Sequence, residues 1–334
     1  MACRMAFRRG ILNRRAFLGV VGGGLLFAAK IARAQPIRTL KVIGILHSSP
    51  AATLGSAGMI AIRKGLGDLG YVEGRTIALE FRSAGAEAND LTDRAAELVR
   101  LDADVIVAIG PTAVRAAAGA TSVLPIVAMD LETDPVASGF ARNLRRPGGN
   151  VTGLFMDADL AGAWLALLRA VVPLVRNVGV LWDVQSGSTQ LTAVQAAARR
   201  VAVDVRVLET RSAADLDGAL GAGLRGGAKA LIVLSSPLAG LTANSKRIAV
   251  FAATNRLPAI SPFRSFTEAG GLMSYGPNIL DVYANTSTFV DKILKGASPG
   301  DLPIELPNCD LAINRDAAKA LGVAIPPSLR AEII

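Results

Sequence analysis

The chain has 334 residues, 51% of them hydrophobic, and a formal net charge of +9 at pH 7. Seven of its lysines and arginines stand in residues 1–34 without an acidic residue, and subtracting them from +9 leaves +2 for the remainder. A nucleic-acid partner, which a basic surface would indicate, therefore has little support. Apart from Cys3 in this leader there is only Cys309, so we expect no internal disulfide and a fold that depends on apolar cores.

Residues 1–34 are predicted to be an export signal that is removed. The apolar run 16–29 follows the arginines and has 14 residues, which is shorter than the roughly 20 needed to span a bilayer. The stretch NRRAFLG resembles a twin-arginine signal, and the small residues around Arg33 provide a cleavage site before Gln35. This pattern predicts a periplasmic protein exported by the twin-arginine route. The alternative is an uncleaved membrane anchor.

From Leu40 onward, short apolar runs alternate with helical patterns in two series. Ungapped apolar strands separated by helices indicate parallel βαβ units whose sheets are covered on both faces. Two such series predict a bilobed α/β protein with a cleft between its lobes. Predicted strands are 40–46, 76–82, 104–109, 125–129, 177–183, 203–210, 230–236 and 258–261. Predicted helices are 57–70, 90–101, 112–120, 187–202, 213–226 and 240–256.

The loops after these strands are the candidate ligand positions, because parallel sheets bind ligands at the carboxyl ends of their strands. Small and hydroxyl-bearing residues dominate there, which suits hydrogen bonding better than nucleophilic attack. Thr112 opens a predicted helix, whose free N–H groups attract a carboxylate. Among the nearby acids Asp130, Glu132 and Asp134, we select Asp134 as a partner for a cationic group, a role compatible with capping a helix near Pro135. Together these features predict a zwitterion such as an amino acid.

Catalytic and metal sites have weak support in this sequence. His47 is the single histidine, and it follows the first strand, where a ligand contact is plausible but zinc binding and a serine triad are not. Cys309 would have only that histidine to activate it, so we interpret it as a packed thiol. The motif GLGDLG ends a helix, so we interpret Gly70 as a C-terminal cap rather than part of a dinucleotide site. We therefore expect no enzyme activity, no cofactor and no metal.

Five stretches together resemble one protein family. They are GLGDLGYVEGRTIALEFR, LRRPGGNVTGL, EAGGLMSYGPN, FVDKILKGASPGDLPIELP and INRDAAKALGVAIPPSL. They resemble the periplasmic substrate-binding proteins of ABC transporters, a family that includes the TrpX-type tryptophan-binding proteins. The resemblance covers residues 40–329, nearly all of the predicted mature chain.

This resemblance implies a type I periplasmic-binding-protein fold, in which two Rossmann-like lobes are joined by three hinge crossings. The implied lobes are 38–153 plus 276–307 and 154–275 plus 308–334, with crossings near 151–155, 273–276 and Asn308. The implied ligand-facing residues are Ser48, Ser49, Gly110, Thr112, Thr133, Asp134, Asp183, Gln185, Ser235 and Tyr275.

The implied function is the capture of a small ligand by hinge closure and its delivery to a membrane permease, by a protein that acts as a monomer. Two alternatives remain open from the residues themselves. One is a periplasmic sensor that acts on a membrane receptor, and the other, less favoured, is an exported α/β hydrolase. A hydrolase would need an activated nucleophile, for which the chain has one histidine and no partner motif.

Overall fold

Two β-sheets with helices packed on them make up the computed structural model, which describes residues 40–50, 52–85, 90–157, 159–329 and 331–334. The predicted export signal lies outside the described residues. The strands are β1 (Lys41–His47), β2 (Ile77–Ser83), β3 (Val105–Ile109), β4 (Ile126–Asp130), β5 (Val151–Phe155), β6 (Asn177–Asp183), β7 (Asp204–Thr210), β8 (Ala230–Val233), β9 (Ala259–Ser261), β10 (Met273–Gly276), β11 (Asp310–Ile313) and β12 (Glu332–Ile333). The helices are α1 (Ala57–Asp68), α2 (Asp90–Arg100), α3 (Pro111–Ala120), α4 (Leu160–Val171), α5 (Thr189–Arg200), α6 (Leu216–Arg225), α7 (Pro237–Gly240), α8 (Thr242–Thr254), α9 (Arg264–Glu268), α10 (Ile279–Leu294) and α11 (Arg315–Leu321).

The first sheet is parallel throughout and has the strand order β2-β1-β3-β4-β5. Its strands β3 and β4 are buried along their whole length. Helices α2 and α3 cover one face, and α1 and α10 cover the other. Burial on both faces explains why these strands are ungapped apolar runs in the sequence.

The second sheet has the order β12-β11-β10-β9-β8-β6-β7 and is mixed, because β11 runs antiparallel to β10. Helices α4 and α5 contribute to the apolar cluster on one face, and α6, α8 and α9 contribute to the cluster on the other. Of the helices in the described part of the chain, none is both long and apolar enough to cross a membrane.

The chain passes between the two sheets three times: after β5, between β10 and α10, and before β11. The last passage pairs with β5, where Glu305 N donates to Gly153 O at 2.9 Å and Phe155 N donates to Glu305 O at 3.1 Å. We refer to the first sheet with α1–α3 and α10 as the first lobe, and to the second sheet with α4–α9 and α11 as the second lobe. The predicted residue boundaries of the lobes stay a prediction.

Helix α4 is absent from the helices predicted from the sequence. Alanine and leucine occupy its outer side as well as its inner side, so no one-sided period marks it. Its Trp164 is fully buried and donates from Nε1 to Tyr275 O at 2.7 Å. At the end of α1, by contrast, the prediction of a glycine cap is confirmed, because Gly70 has a φ of 90° just after the last helical turn.

Candidate functional site

Two buried carboxylates lie at the carboxyl edge of the first sheet, Asp130 as the last residue of β4 and Glu132 in the loop that follows. Asp130 accepts hydrogen bonds from the backbone N–H groups of Glu132 and Thr133, at 3.0 and 3.1 Å, and from the Thr133 hydroxyl. These three bonds stabilise the ionised form of Asp130, but its burial outweighs them and raises its pKa. The loop conformation is therefore held by Asp130, which has no exposed surface.

Glu132, two residues further on, lies between the lobes. Its carboxylate accepts from Ser235 Oγ of the second lobe at 2.8 Å and from Leu131 N at 3.1 Å. Burial raises the pKa of Glu132, and the neighbouring Asp130 raises it further. Among the ion pairs of the described residues, none involves Glu132. A buried carboxylate without a cation is costly unless it is protonated or receives a positive charge.

Gln190, at the start of α5, connects the two lobes through its side-chain amide. Its Nε2 donates to Leu131 O of the first lobe at 2.9 Å, and its Oε1 accepts from Ser235 N at 2.9 Å. Nearer the rim, Arg115 Nη2 of α3 donates to Gln185 O at 3.0 Å. The loop after β4 therefore contacts α5 and the loop after β8, and α3 contacts the loop after β6, so the two lobes meet at these contacts.

His47 ends β1 and contacts Tyr283 of α10. Ser49 N donates to His47 Nδ1 at 2.9 Å, and His47 Nε2 lies 3.1 Å from the Tyr283 hydroxyl oxygen. Burial lowers the pKa of His47 to about 4, so this imidazole is neutral at physiological pH. The single histidine is thus part of the wall of the cleft.

The N-terminus of α3 is capped from a neighbouring strand end. Gly110 stands at the N-cap position and has no side chain to accept a hydrogen bond. Ser48 Oγ takes that role by accepting from Ala113 N at 3.0 Å, and it also accepts from Thr112 Oγ1 at 2.8 Å. One of the N–H groups that the sequence interpretation assigned to a ligand is therefore bonded within the protein.

Replacing Ser48 by alanine is expected to lower the free energy of unfolding by about 1 kcal/mol, the usual cost of losing an N-terminal helix cap. Ser188→Ala is the matched control, because Ser188 stands at the N-cap of α5 but makes no capping hydrogen bond. Urea denaturation of both variants measures the difference. Equal losses of stability in the two variants would contradict the capping role.

The structure brings together some of the predicted ligand-facing residues and separates others. Asp134 accepts from Val136 N and Ala137 N and so caps a turn, where the sequence predicted a helix. Gln185 is exposed, and its side-chain amide is directed toward Arg211 O. Tyr275 lies in β10 opposite Leu311 of β11, next to the third crossing, and burial, Cys309 and Asp310 raise the pKa of its phenol. Residues at, or within three positions of, the carboxyl ends of β1, β3, β4, β6 and β8 are Ser48, Ser49, Gly110, Thr112, Thr133, Asp183 and Ser235. Of these, Ser235 contacts the other lobe through its bond to Glu132.

Three residues of this cleft were not selected from the sequence. Glu132 was weighed there with the other acids and passed over for Asp134, although its position two residues after a buried strand was a usable signal. Gln190 and Tyr283 stand near the starts of their helices, α5 and α10. A helix that follows a strand end or a crossing begins beside the cleft, and that rule could have indicated both residues.

A small cavity lies next to the Glu132 carboxylate, between the loop after β4 and the helices α4 and α5. Glu132, Thr133, Met156, Trp164 and Gln190 are among its lining residues. Its wall combines a carboxylate, an amide and an indole ring, and its volume of about 10 Å³ has room for about one water molecule. Within the described ranges, no group of three His, Cys, Asp or Glu side chains is arranged to hold a metal ion.

Comparison with known proteins shows the family. Residues 44–333 match the family described as ABC transporter substrate binding protein. The chain belongs to this family. A tyrosine-binding protein of Clostridioides difficile (strain R20291) is 27% identical over 290 residues, which are 85% of this chain and 81% of that protein. The predictions of family membership and of a binding protein instead of an enzyme are confirmed, because these relatives are substrate-binding proteins.

Solved structures show the same fold. The ABC domain of Streptococcus pneumoniae in complex with L-Trp has a TM-score of 0.77 at 24% identity and covers 88% of this chain and 100% of that chain. A ligand-free, open substrate-binding protein with adhesive properties from Clostridium difficile has a TM-score of 0.62 at 26% identity, with coverages of 88% and 99%. The fold is the type I periplasmic-binding-protein fold, as predicted.

Proposed function

We propose that this chain is the exported solute-binding component of an ABC importer, which captures an amino acid between its lobes and delivers it to a membrane permease. The observation that carries the proposal is the Glu132 carboxylate, which is buried between the lobes and accepts from Ser235 without an ion-pair partner among the described residues. The ammonium group of an amino acid would supply the missing charge. The tyrosine-binding relative supports this ligand class.

Hinge closure fits the contacts between the lobes. The bonds from Ser235 to Glu132 and from Gln190 to Leu131 both join the two lobes, so they form only when the lobes meet. A ligand that adds contacts to both lobes favours the closed form by its difference in affinity for the two forms. The closed form would then be recognised by the permease.

Of the ligand-facing set, we retain Ser48, Ser49, Gly110, Thr112, Thr133, Asp183 and Ser235 as candidates and add Glu132, Gln190 and Tyr283. We replace Asp134 by Glu132 as the partner of the ammonium group, because the two carboxylate environments differ. Asp134 accepts two backbone N–H groups of a surface turn, whereas Glu132 lies between the lobes.

The cellular setting is part of the same proposal. An export signal over residues 1–34 would place a mature chain beginning near Gln35 in the periplasm, by the twin-arginine route. The mature protein would act as a monomer, with lobes of 38–153 plus 276–307 and 154–275 plus 308–334. Its partners would be a small-molecule ligand and the permease subunits, with no nucleic acid.

The test of this function is ligand binding by the mature chain, expressed from Gln35 and purified without refolding. Native mass spectrometry detects a retained amino acid, and calorimetry then measures L-tyrosine, L-tryptophan and the other amino acids. A ligand at about 100 times its Kd stabilises the folded state by about 2.7 kcal/mol, or about 5 °C or more in Tm. The absence of a retained mass, of heat and of a shift in Tm for every amino acid would refute the proposal.

A further inference from the structure

We propose that the Tyr283 hydroxyl binds the carboxylate group of the ligand and that His47 positions it for this contact. The inference rests on the proposed function, because it assigns a second group of the amino acid to a residue of the same cleft. Two observations carry it: the proton arrangement on His47 and the place of Tyr283 in the fold. The electrostatic influence of Glu132 on Tyr283 agrees with them.

The proton on His47 is located by the hydrogen bond from Ser49. Because Ser49 N–H is a donor, the His47 Nδ1 that it contacts at 2.9 Å must be an unprotonated acceptor. An imidazolium carries protons on both nitrogens and could not accept this bond, so the ring is neutral and its proton is on Nε2. The geometry alone leads to this tautomer, and the lowered pKa of His47 agrees with it.

The Nε2 proton determines the role of the Tyr283 hydroxyl. His47 Nε2–H donates to the Tyr283 oxygen at 3.1 Å, so that oxygen acts as the acceptor in this pair. A phenol has one proton to donate, and that proton is then directed away from His47. His47 is the one hydrogen-bonding partner of this hydroxyl among the residues that the structure describes, which leaves the phenol proton for a further acceptor.

The ring of Tyr283 is held in place by the packing of α10 against α1. A Cβ atom on Gly58 of α1 would lie 2.5 Å from the Tyr283 ring, so the absence of a side chain at Gly58 makes room for the ring. The rings of Tyr283 and His47 are stacked with their centroids 6.5 Å apart. The hydroxyl is thereby fixed at the carboxyl end of β1, on the edge of the sheet that faces the cleft.

Glu132 lies close enough to influence Tyr283. Burial raises the pKa of Tyr283 to about 12, and the Glu132 carboxylate contributes to this rise. The phenol therefore keeps its proton at physiological pH and acts as a donor. An amino acid carries its ammonium and carboxylate groups on one carbon atom, so a carboxylate acceptor (Glu132) and a phenol donor (Tyr283) in one cleft would match both groups.

The test compares Tyr283→Phe with the wild type by calorimetry, using L-tyrosine and tyramine, which lacks the carboxylate. We expect the variant to bind L-tyrosine about tenfold more weakly, the effect of losing a hydrogen bond to a charged group, and to bind tyramine as the wild type does. Tyr71→Phe is the matched control, because its hydroxyl donates to Asp291 outside the cleft. If the wild type binds another amino acid, that amino acid and its decarboxylated amine replace this pair.

The outcomes separate this inference from the proposed function. A wild type that binds no amino acid refutes the proposed function, and the inference falls with it. A wild type that binds, with an unchanged Tyr283→Phe variant or with equal losses for both compounds, refutes the carboxylate contact alone.

The positioning role of His47 has its own readout, because the chain contains one histidine. The ¹⁵N spectrum of that ring should show a protonated Nε2 and an unprotonated Nδ1 at neutral pH. His47→Gln offers an amide N–H in place of Nε2–H and should retain most of the affinity for L-tyrosine, whereas His47→Leu should lose about as much as Tyr283→Phe. The opposite tautomer, or equal affinities in the two His47 variants, would refute the role.

Discussion

Glu132→Gln is expected to weaken amino-acid binding by about thirtyfold or more, because removing one partner of a buried charge pair costs about 2–5 kcal/mol. Glutamine has nearly the same shape as glutamate and retains an oxygen that can accept from Ser235, so the variant should fold. The lost property is the negative charge that an ammonium group requires. Calorimetry with the ligand of the wild type measures the change.

Asp134→Asn is the matched control for Glu132→Gln. Asparagine keeps the side-chain oxygen that accepts from Val136 N and Ala137 N, so the turn is preserved while the charge is removed. Affinity close to that of the wild type is expected. A large loss in Asp134→Asn together with a small loss in Glu132→Gln would return the ammonium contact to Asp134 and contradict our assignment.

The Glu132 carboxylate should make the affinity for an amino acid depend on pH. Burial, Asp130 and Asp183 raise the pKa of Glu132, and the bond from Ser235 lowers it only in part. Because an ammonium ligand favours the ionised carboxylate, binding should release a proton, and affinity should rise with pH up to the raised pKa. Glu132→Gln should remove this dependence.

In the ligand-free protein, the stability contributed by Glu132 changes with pH in the opposite direction to the binding affinity. Because the pKa of Glu132 is raised in the folded state, the folded protein binds more protons than the unfolded chain. The contribution of Glu132 to stability is therefore complete below its ordinary pKa of 4.5 and falls as pH rises above it. Denaturation of wild type and Glu132→Gln over this range measures the difference.

Gly153→Ala is expected to lower the free energy of unfolding by about 3 kcal/mol or more, through backbone strain and a steric clash. Gly153 lies in β5 with a φ of 130°, a conformation that residues with a side chain rarely adopt. A Cβ atom there would lie 2.1 Å from Ala128 O, on the backbone of the paired strand β4. Backbone atoms cannot move aside without breaking the sheet, so urea denaturation should show a large loss.

Gly149→Ala is the control for this strand. A Cβ atom on Gly149 would meet Phe140 O at 3.7 Å, an ordinary contact. We expect a change within about 1 kcal/mol for this substitution, as is usual away from strained or buried positions. Two glycines of the same stretch, PGGNVTG, should thus differ strongly, and equal midpoints of unfolding in the two variants would contradict the argument.

The amino-acid sequence by itself determined the fold class and the alternation of strands and helices from β1 to β4 and from β6 to β9. Strands buried on both faces, such as β3 and the first four residues of β4, are continuous apolar runs, and this pattern is visible without a structure. Helix α4 was missed because an apolar outer side hides the period of the inner one. Local patterns therefore predicted the short continuous apolar strands and the one-sided helices, and missed a helix that is apolar on most of its surface.

Only the tertiary structure decided which polar residues face each other. Asp130, Glu132 and Asp134 are equivalent in the sequence, yet one holds the loop, one lies between the lobes and one caps a surface turn. The contacts that separate them come from Ser235, 103 positions from Glu132, and from local backbone N–H groups. Burial and hydrogen bonding across such distances determine the charge state of a carboxylate. A local pattern in the sequence does not show these contacts between residues that are distant along the chain.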